Sequence, residues 1–266
     1  MLTELKALIP HPLKYRLAIL VDKTHRDRRA RRKLLSSAKT VDDVRVIARD
    51  LNFGYFTDYD AQVETKRREF RSAVRLAGVD LAGKIVVDVG PGTADSLDTA
   101  REMGAKRTLF IDEEPFFVKF GQVKGHHGVQ GDYYRAPYFP AEWAGTADFL
   151  YTKGSINCGW VNQQHALREA RDNRGHFDFA AWVVALKKLV ARGGSIVLLP
   201  SMPRQQERLI DRGYDLDTYY WCPDVQAYRN SFFSRTLVDQ GFSVVDSAPG
   251  LLQEKAFPLA FVYRQS

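Results

Sequence analysis

Asp88, Gly90, Gly92 and Asp112 are the residues whose types and spacing are best suited to chemistry in this 266-residue chain. They fall in and after the segment Lys84-Ile-Val-Val-Asp-Val-Gly-Pro-Gly-Thr-Ala94. Glycines on either side of Pro91 let the backbone turn sharply and approach a ligand without interference from a Cβ atom. Asp88, just before that turn, can accept a hydrogen bond from a cationic or hydroxyl-bearing ligand. Asp112 follows Asp88 by 24 residues and ends the apolar run Thr108-Leu-Phe-Ile111. An acid at the tip of a second strand can receive both hydroxyls of a ribose. The pair therefore points to an adenosine-bearing cofactor.

These residues require a particular scaffold to meet. From Lys84 onward, apolar runs at 84–89, 107–111, 127–131, 147–152 and 194–199 alternate with helical stretches. That alternation is the sequence form of a mainly parallel sheet covered on both faces. A helix is expected over Asp95 to Met103. Another is expected from Phe177 to Val190, with Phe179, Trp182, Val183, Leu186 and Leu189 at helical spacing and Ala-Arg-Gly-Gly ending it. A helix from Val225 to Gln240 then precedes strands 242–247 and 257–264, which the short intervening segment marks as an antiparallel pair. The expected fold is α/β and Rossmann-like, with seven mostly parallel strands, an antiparallel C-terminal strand and helices on both faces. Upstream, 40–82 reads as two helices around a break at Gly54, the second from Tyr59 to Leu76 with Val63, Phe70 and Val74 on one face. The division expected is a basic amphipathic arm (1–36), a helical cap (37–82) and a catalytic domain (83–266).

NAD binding is the nearest competing reading, because its fingerprint also places glycines after a first strand and an acid after a second. Three features count against it. Asp88 stands two residues before the first glycine and Pro91 follows it, Ala94 stands at the third glycine position, and the chain closes with a helix and an antiparallel pair. The sequence here resembles the class I S-adenosylmethionine-dependent methyltransferases, through Asp88-Val-Gly-Pro-Gly92, Asp112, Gly131-Asp132 and the helix-Gly193-Gly194-strand unit, over about residues 83 to 264. The resemblance implies S-adenosyl-L-methionine as cofactor, with Gly90 and Gly92 along its methionine, Asp112 on its ribose and Asp132 on the adenine amino group. Asp88, Pro91, Glu113 and Lys153 are counted with the cofactor-binding residues. Ala94, where many relatives have glycine, departs from the pattern but keeps a small side chain.

The acceptor side is read from loops at the strand ends. Thr152-Lys-Gly-Ser-Ile-Asn-Cys-Gly-Trp160 lacks the Asp/Asn-Pro-Pro-aromatic run expected of a nucleic-acid amino-methyltransferase. Neither Cys158 nor Cys222 follows a proline, as the cytosine-C5 enzymes would require. His165 is the candidate general base for an O-methyl transfer, against a capping or solvent-facing role. Arg204, Tyr219, Tyr220 and Trp221 combine aromatic faces with a guanidinium suited to a sugar, a planar ring or an anion, and are the candidate substrate-binding residues; the alternative is a lid packed on its own domain. His126 and His127 are adjacent, so in an extended segment they point to opposite faces and read as structural. Glu113 and Glu114 read as the start of a helix, and no metal is expected.

Charge narrows the partner. Residues 1 to 36 hold ten Lys/Arg against three Asp/Glu, and the remaining residues hold 29 of each, so the net charge of +7 lies wholly in the arm. A neutral catalytic domain disfavours a polynucleotide substrate. Leu13, Leu17 and Leu20 on one face of the basic arm fit peripheral contact with an anionic membrane. With two cysteines there is no disulfide framework, which fits a reducing compartment. The expectation is a cytoplasmic O-methyltransferase, at the inner membrane face if the arm docks there, acting on a small-molecule or glycan acceptor. A nucleic-acid methyltransferase gripping through the arm and a non-catalytic S-adenosylmethionine-binding partner protein are the alternatives.

Overall fold

The computed structural model describes residues 31–53, 56, 60–131, 139–153, 179–199, 237–245 and 261–266. The elements run α1 (Val41–Asp50), α2 (Val63–Ala77), β1 (Ile85–Val89), α3 (Asp95–Glu102), β2 (Arg107–Asp112), α4 (Pro115–Val123), β3 (His127–Gln130), a 3₁₀ turn (Ala141–Trp143), β4 (Ala147–Lys153), α5 (Phe179–Leu189), β5 (Val190–Leu199), β6 (Phe242–Val245) and β7 (Phe261–Gln265). The strands form one seven-stranded sheet in the order β3-β2-β1-β4-β5-β7-β6. The first five are parallel, and β7 runs antiparallel to both β5 and β6. This is the Rossmann-like architecture expected from the alternation of strand and helix.

Strand alternation sorts the core into two halves. Val87, Val89, Leu109, Ile111, Leu150, Ile196 and Leu198 face one side, where they meet Leu186 and Leu189 of α5 and Trp143. Val86, Phe110, Phe149, Tyr151 and Val197 face the other, against Phe70, Ala73, Val74 and Ala77 of α2 and Leu97 and Ala100 of α3. Phe70 stands edge-on to Phe149 and Tyr151, with ring centroids 5.9 and 5.0 Å away. The helix expected from Tyr59 starts at Val63 and stops where Gly78 takes a left-handed conformation, φ 62°.

Two local arrangements differ from the sequence expectation or sharpen it. The strand expected from 194 starts at Val190, directly after α5, and its pairing with β4 shifts register between Ala147 and Phe149. Gly193 (φ 72°) and Gly194, whose added Cβ would lie 2.7 Å from the Ala147 carbonyl oxygen, make that irregularity possible. So the glycine pair lies within the strand, where sequence reasoning used it to end a helix. Ahead of the sheet, Thr40 caps α1 by accepting from Asp43 N (3.1 Å), while Asp43 accepts from Thr40 N (2.9 Å). A separate aromatic cluster joins this region to α4: Phe56 packs with Phe116, Phe117 and Phe120, beside Leu35, Val44 and Ala48.

Phe110 is tightly packed between β3 and α4. A Cβ built on Gly128 of β3 would lie 1.9 Å from its ring, and one on Gly121 of α4 2.5 Å away. Gly128→Ala is expected to displace the ring and lower stability by about 1–3 kcal/mol, the range typical of overpacked cores. Urea unfolding should show a lower midpoint at unchanged slope.

Candidate functional site

The sheet order places a topological switch point between β1 and β4, where the connections leave in opposite directions. Ligands of open α/β sheets bind outside the carboxyl ends of the strands at such a point. Asp88 and the Gly90–Gly92 turn end β1, Asp112 ends β2, and Lys153 ends β4. Because side chains alternate, Asp88, Asp112 and Lys153 all project to the face covered by α2 and α3. In-register pairing sets Asp88 beside Phe110 on β2 and Tyr151 on β4.

The turn itself is left-handed at Gly90 (φ 75°), Gly92 (φ 59°) and Ala94 (φ 59°). Ala94, at the position where the resembled family often has glycine, holds a glycine-like conformation and is fully buried. Gly90 N donates to Ile111 O at 2.8 Å, and Gly92 N donates to Asp112 Oδ2 at 3.3 Å. Asp112 Oδ1 accepts from Glu114 N at 2.9 Å. The carboxylate of β2 therefore braces the turn of β1, and its oxygens keep lone pairs to accept hydroxyl donors.

Asp88 is 1% exposed. Its Oδ2 accepts from Ser96 Oγ, while Oδ1 is a buried acceptor with no hydrogen-bond partner among the described residues. Burial pushes the carboxyl up to about 7, opposed by the Ser96 hydrogen bond and the charge of Lys153. Burial also pushes Asp112 up to about 8, with Glu114 N and Gly92 N opposing and Glu113 adding to the rise. Lys153 pairs with Glu69, a residue of α2 that is only 1% exposed.

Several contributors escaped sequence reasoning. Lys66 of α2 reaches the turn, donating to Thr93 Oγ1 at 2.7 Å and lying 3.5 Å from Asp95 Oδ2, and its burial draws it down to about 8. Lys124 donates to Thr93 O at 2.7 Å and pairs with Asp95 (3.1 Å) and Asp98 (2.7 Å). His126 is buried between Thr108 Oγ1 (2.7 Å) and Asp98 Oδ1 (3.0 Å), whereas His127 is exposed. The available signal was charge on an apolar stripe, since Lys66 and Glu69 share the buried face of α2 with Phe70 and Ala73.

Of the other expected residues, Pro91 is buried in the turn, and Glu113 is partly exposed with its carbonyl accepting from Gln130 Nε2 at 3.1 Å. Glu114 caps α4 by accepting from Phe116 N, as the reading of a helix start required. Asp132, His165, Arg204, Tyr219, Tyr220 and Trp221 lie outside the described residues, as do Cys158 and Cys222.

No protein-family model matches the sequence, and no curated protein matches it. The solved structures it resembles include methyltransferases. A S-adenosylmethionine-dependent methyltransferase from Mesorhizobium loti is 14% identical, with 70% of this chain and 93% of that chain covered and a TM-score of 0.45. Geranyl diphosphate methyltransferase in complex with S-adenosylmethionine is 11% identical over 75% of this chain and 84% of its own, at a TM-score of 0.47. Phosphoethanolamine N-methyltransferase 2 of Haemonchus contortus is 11% identical over 67% and 38%, at a TM-score of 0.45. Similarity at this level does not extend to activity or substrate. Among the described residues no helix is long and apolar enough to cross a membrane.

The raised carboxyls carry a stability signature. With its pKa above the unfolded value, each Asp holds its proton longer folded than unfolded, so its contribution to stability is fully present below about pH 4 and is lost as pH rises to about 7 for Asp88 and 8 for Asp112. Asp88→Asn, which stays neutral, is expected to gain melting temperature relative to the parent protein as pH rises from 5 to about 7 and to keep that gain without further increase up to pH 9. A difference that stays constant across that range would contradict the assignment.

Proposed function

We propose that this chain is a class I S-adenosylmethionine-dependent methyltransferase, and that its acceptor is a small molecule or glycan methylated on oxygen. The observation that carries the reading is the unpartnered, buried Oδ1 of Asp88 beside the left-handed turn braced by Asp112. A buried acceptor of this kind fits a cationic hydrogen-bond donor, such as the α-ammonium of a methionine moiety. Lys153, across the switch point, is the matching cation for an α-carboxylate, and Asp112 takes the ribose hydroxyls. S-adenosylmethionine, when bound, supplies a methyl group activated on a positively charged sulfur. The chain's own part is to hold the donor in line with the acceptor, and to remove a proton where the acceptor is a hydroxyl. His165 is the residue proposed for that proton, with Arg204, Tyr219, Tyr220 and Trp221 about the acceptor and Asp132 on the adenine.

Charge at the helix terminus argues against a dinucleotide. The first turn of α3 carries Asp95 and Asp98, both buried and already matched by Lys66 and Lys124. A diphosphate docking at this terminus would meet carboxylates in place of open N–H groups. Net neutrality over residues 37–266 supports an acceptor without high charge, and the basic arm supports a cytoplasmic enzyme that touches an anionic membrane.

Calorimetric titration tests the reading. S-adenosylmethionine is expected to bind and NAD to give no saturable heat, with Asp112→Ala weakening the former by about tenfold or more through lost charge-assisted hydrogen bonds. A cationic ligand favours ionised Asp88, and hydroxyl donors favour ionised Asp112. Binding should therefore release protons near neutral pH and strengthen as pH rises from 6 to 8, an effect reduced in Asp88→Asn. Binding of NAD, or of neither ligand, would refute the proposal.

A further inference from the structure

A second cleft lies away from the switch point, between the helical stretch 31–35 and α4, reaching the end of β3. Its volume is about 400 Å³, and Arg32, Leu35, Pro115, Val118, Lys119 and Gln130 are among its lining residues. No carboxylate is among the described residues that line it. That volume falls within the range of small-molecule sites.

The two cations differ from their sequence neighbours in what they touch. Arg31 is committed, pairing with Glu114 at 3.0 Å and lying 4.4 Å over the Phe53 ring. Lys124, at the other end of α4, is committed to Asp95, Asp98 and the Thr93 carbonyl. The side chains of Arg32 and Lys119 have no hydrogen bond or ion pair among the described residues. Both nevertheless border the same cavity. A guanidinium-bearing and an ammonium-bearing side chain lining one concavity, with no carboxylate among the described residues around it, favour an oxyanion, and the fork of Arg32 suits phosphate in particular. Leu35, Pro115 and Val118 supply an apolar wall for the body that carries it.

We infer that this cleft is a binding site for a phosphomonoester, whose phosphate is held by Arg32 and Lys119 and whose apolar portion rests on Leu35, Pro115 and Val118. The inference does not depend on the identity of the cofactor. Gln130, on the cleft wall, donates to the Glu113 carbonyl, so the site borders the loop that follows Asp112 without sharing its carboxylate.

The test uses the full chain, with phenyl phosphate and inorganic phosphate as soluble probes and phosphatidylcholine vesicles with or without phosphatidic acid as the lipid source. Phenyl phosphate is expected to bind saturably and more tightly than inorganic phosphate. Arg32→Gln and Lys119→Gln should each weaken it about tenfold or more, with the melting temperature unchanged because neither side chain belongs to the core. Recruitment to phosphatidic acid vesicles that the double variant loses would assign the phosphate to a lipid headgroup. Saturable phenyl phosphate binding without such recruitment would assign it to a soluble ester. Absence of saturable binding to either source at millimolar concentrations, or binding that both variants retain in full, overturns the inference.

Discussion

Two carboxyl groups are buried at the carboxyl edge of the parallel sheet, and much of the surrounding structure is arranged around them. Taking a carboxylate out of water is costly unless hydrogen bonds or opposite charges replace the lost hydration. Asp112 obtains two backbone N–H donors, one from its own loop and one from the neighbouring glycine turn. Among the described residues, Asp88 obtains a hydroxyl on one oxygen only. That asymmetry makes Asp112 a brace and leaves Asp88 receptive. Side chains at positions 90 and 92 would strain this path of the turn's N–H groups, since both residues adopt positive φ.

The helices ahead of the sheet contribute to the same edge. α2 covers one face with an apolar stripe, yet places Lys66 and Glu69 within that stripe. Lys66 reaches the glycine turn, and Glu69 holds Lys153 at the end of β4. Lys124 approaches from α4 and closes the network around Asp95 and Asp98. Buried ions of this density are seldom stabilising compared with apolar packing, but removing one partner strands the others. The network therefore fixes the position of the turn relative to β4 more than it adds net stability.

Core packing gives the edge its rigidity. Phe110 fills space that side chains at Gly121 and Gly128 would occupy, drawing α4 and β3 close to β2. The same strand ends in Asp112, so the carboxylate that braces the turn is anchored on one of the more crowded stretches of the sheet. On the far side of α4, the aromatic cluster with Phe56 seats Leu35, Val44, Ala48 and Phe53. The precise placement of the polar site thus follows from apolar contacts on both sides of one short helix.

The amino-acid sequence by itself determined the element order, the parallel sheet with its antiparallel close, and the grouping of Asp88, Gly90, Gly92 and Asp112. Those features are written in local periodicity and in the conformational freedom of glycine, which need no knowledge of distant neighbours. Ala94 shows the limit of that reading. Its identity departs from glycine, and only the fold reveals that it keeps the left-handed conformation. Likewise, Gly193 and Gly194 read as a helix end, whereas pairing with β4 draws them into β5. The roles of Lys66, Glu69 and Lys124, and the lack of partners for the Arg32 and Lys119 side chains among the described residues, were decided by tertiary structure alone. A long charged side chain can reach partners far along the chain, and which partner it finds depends on helix packing angles and burial that no local pattern encodes.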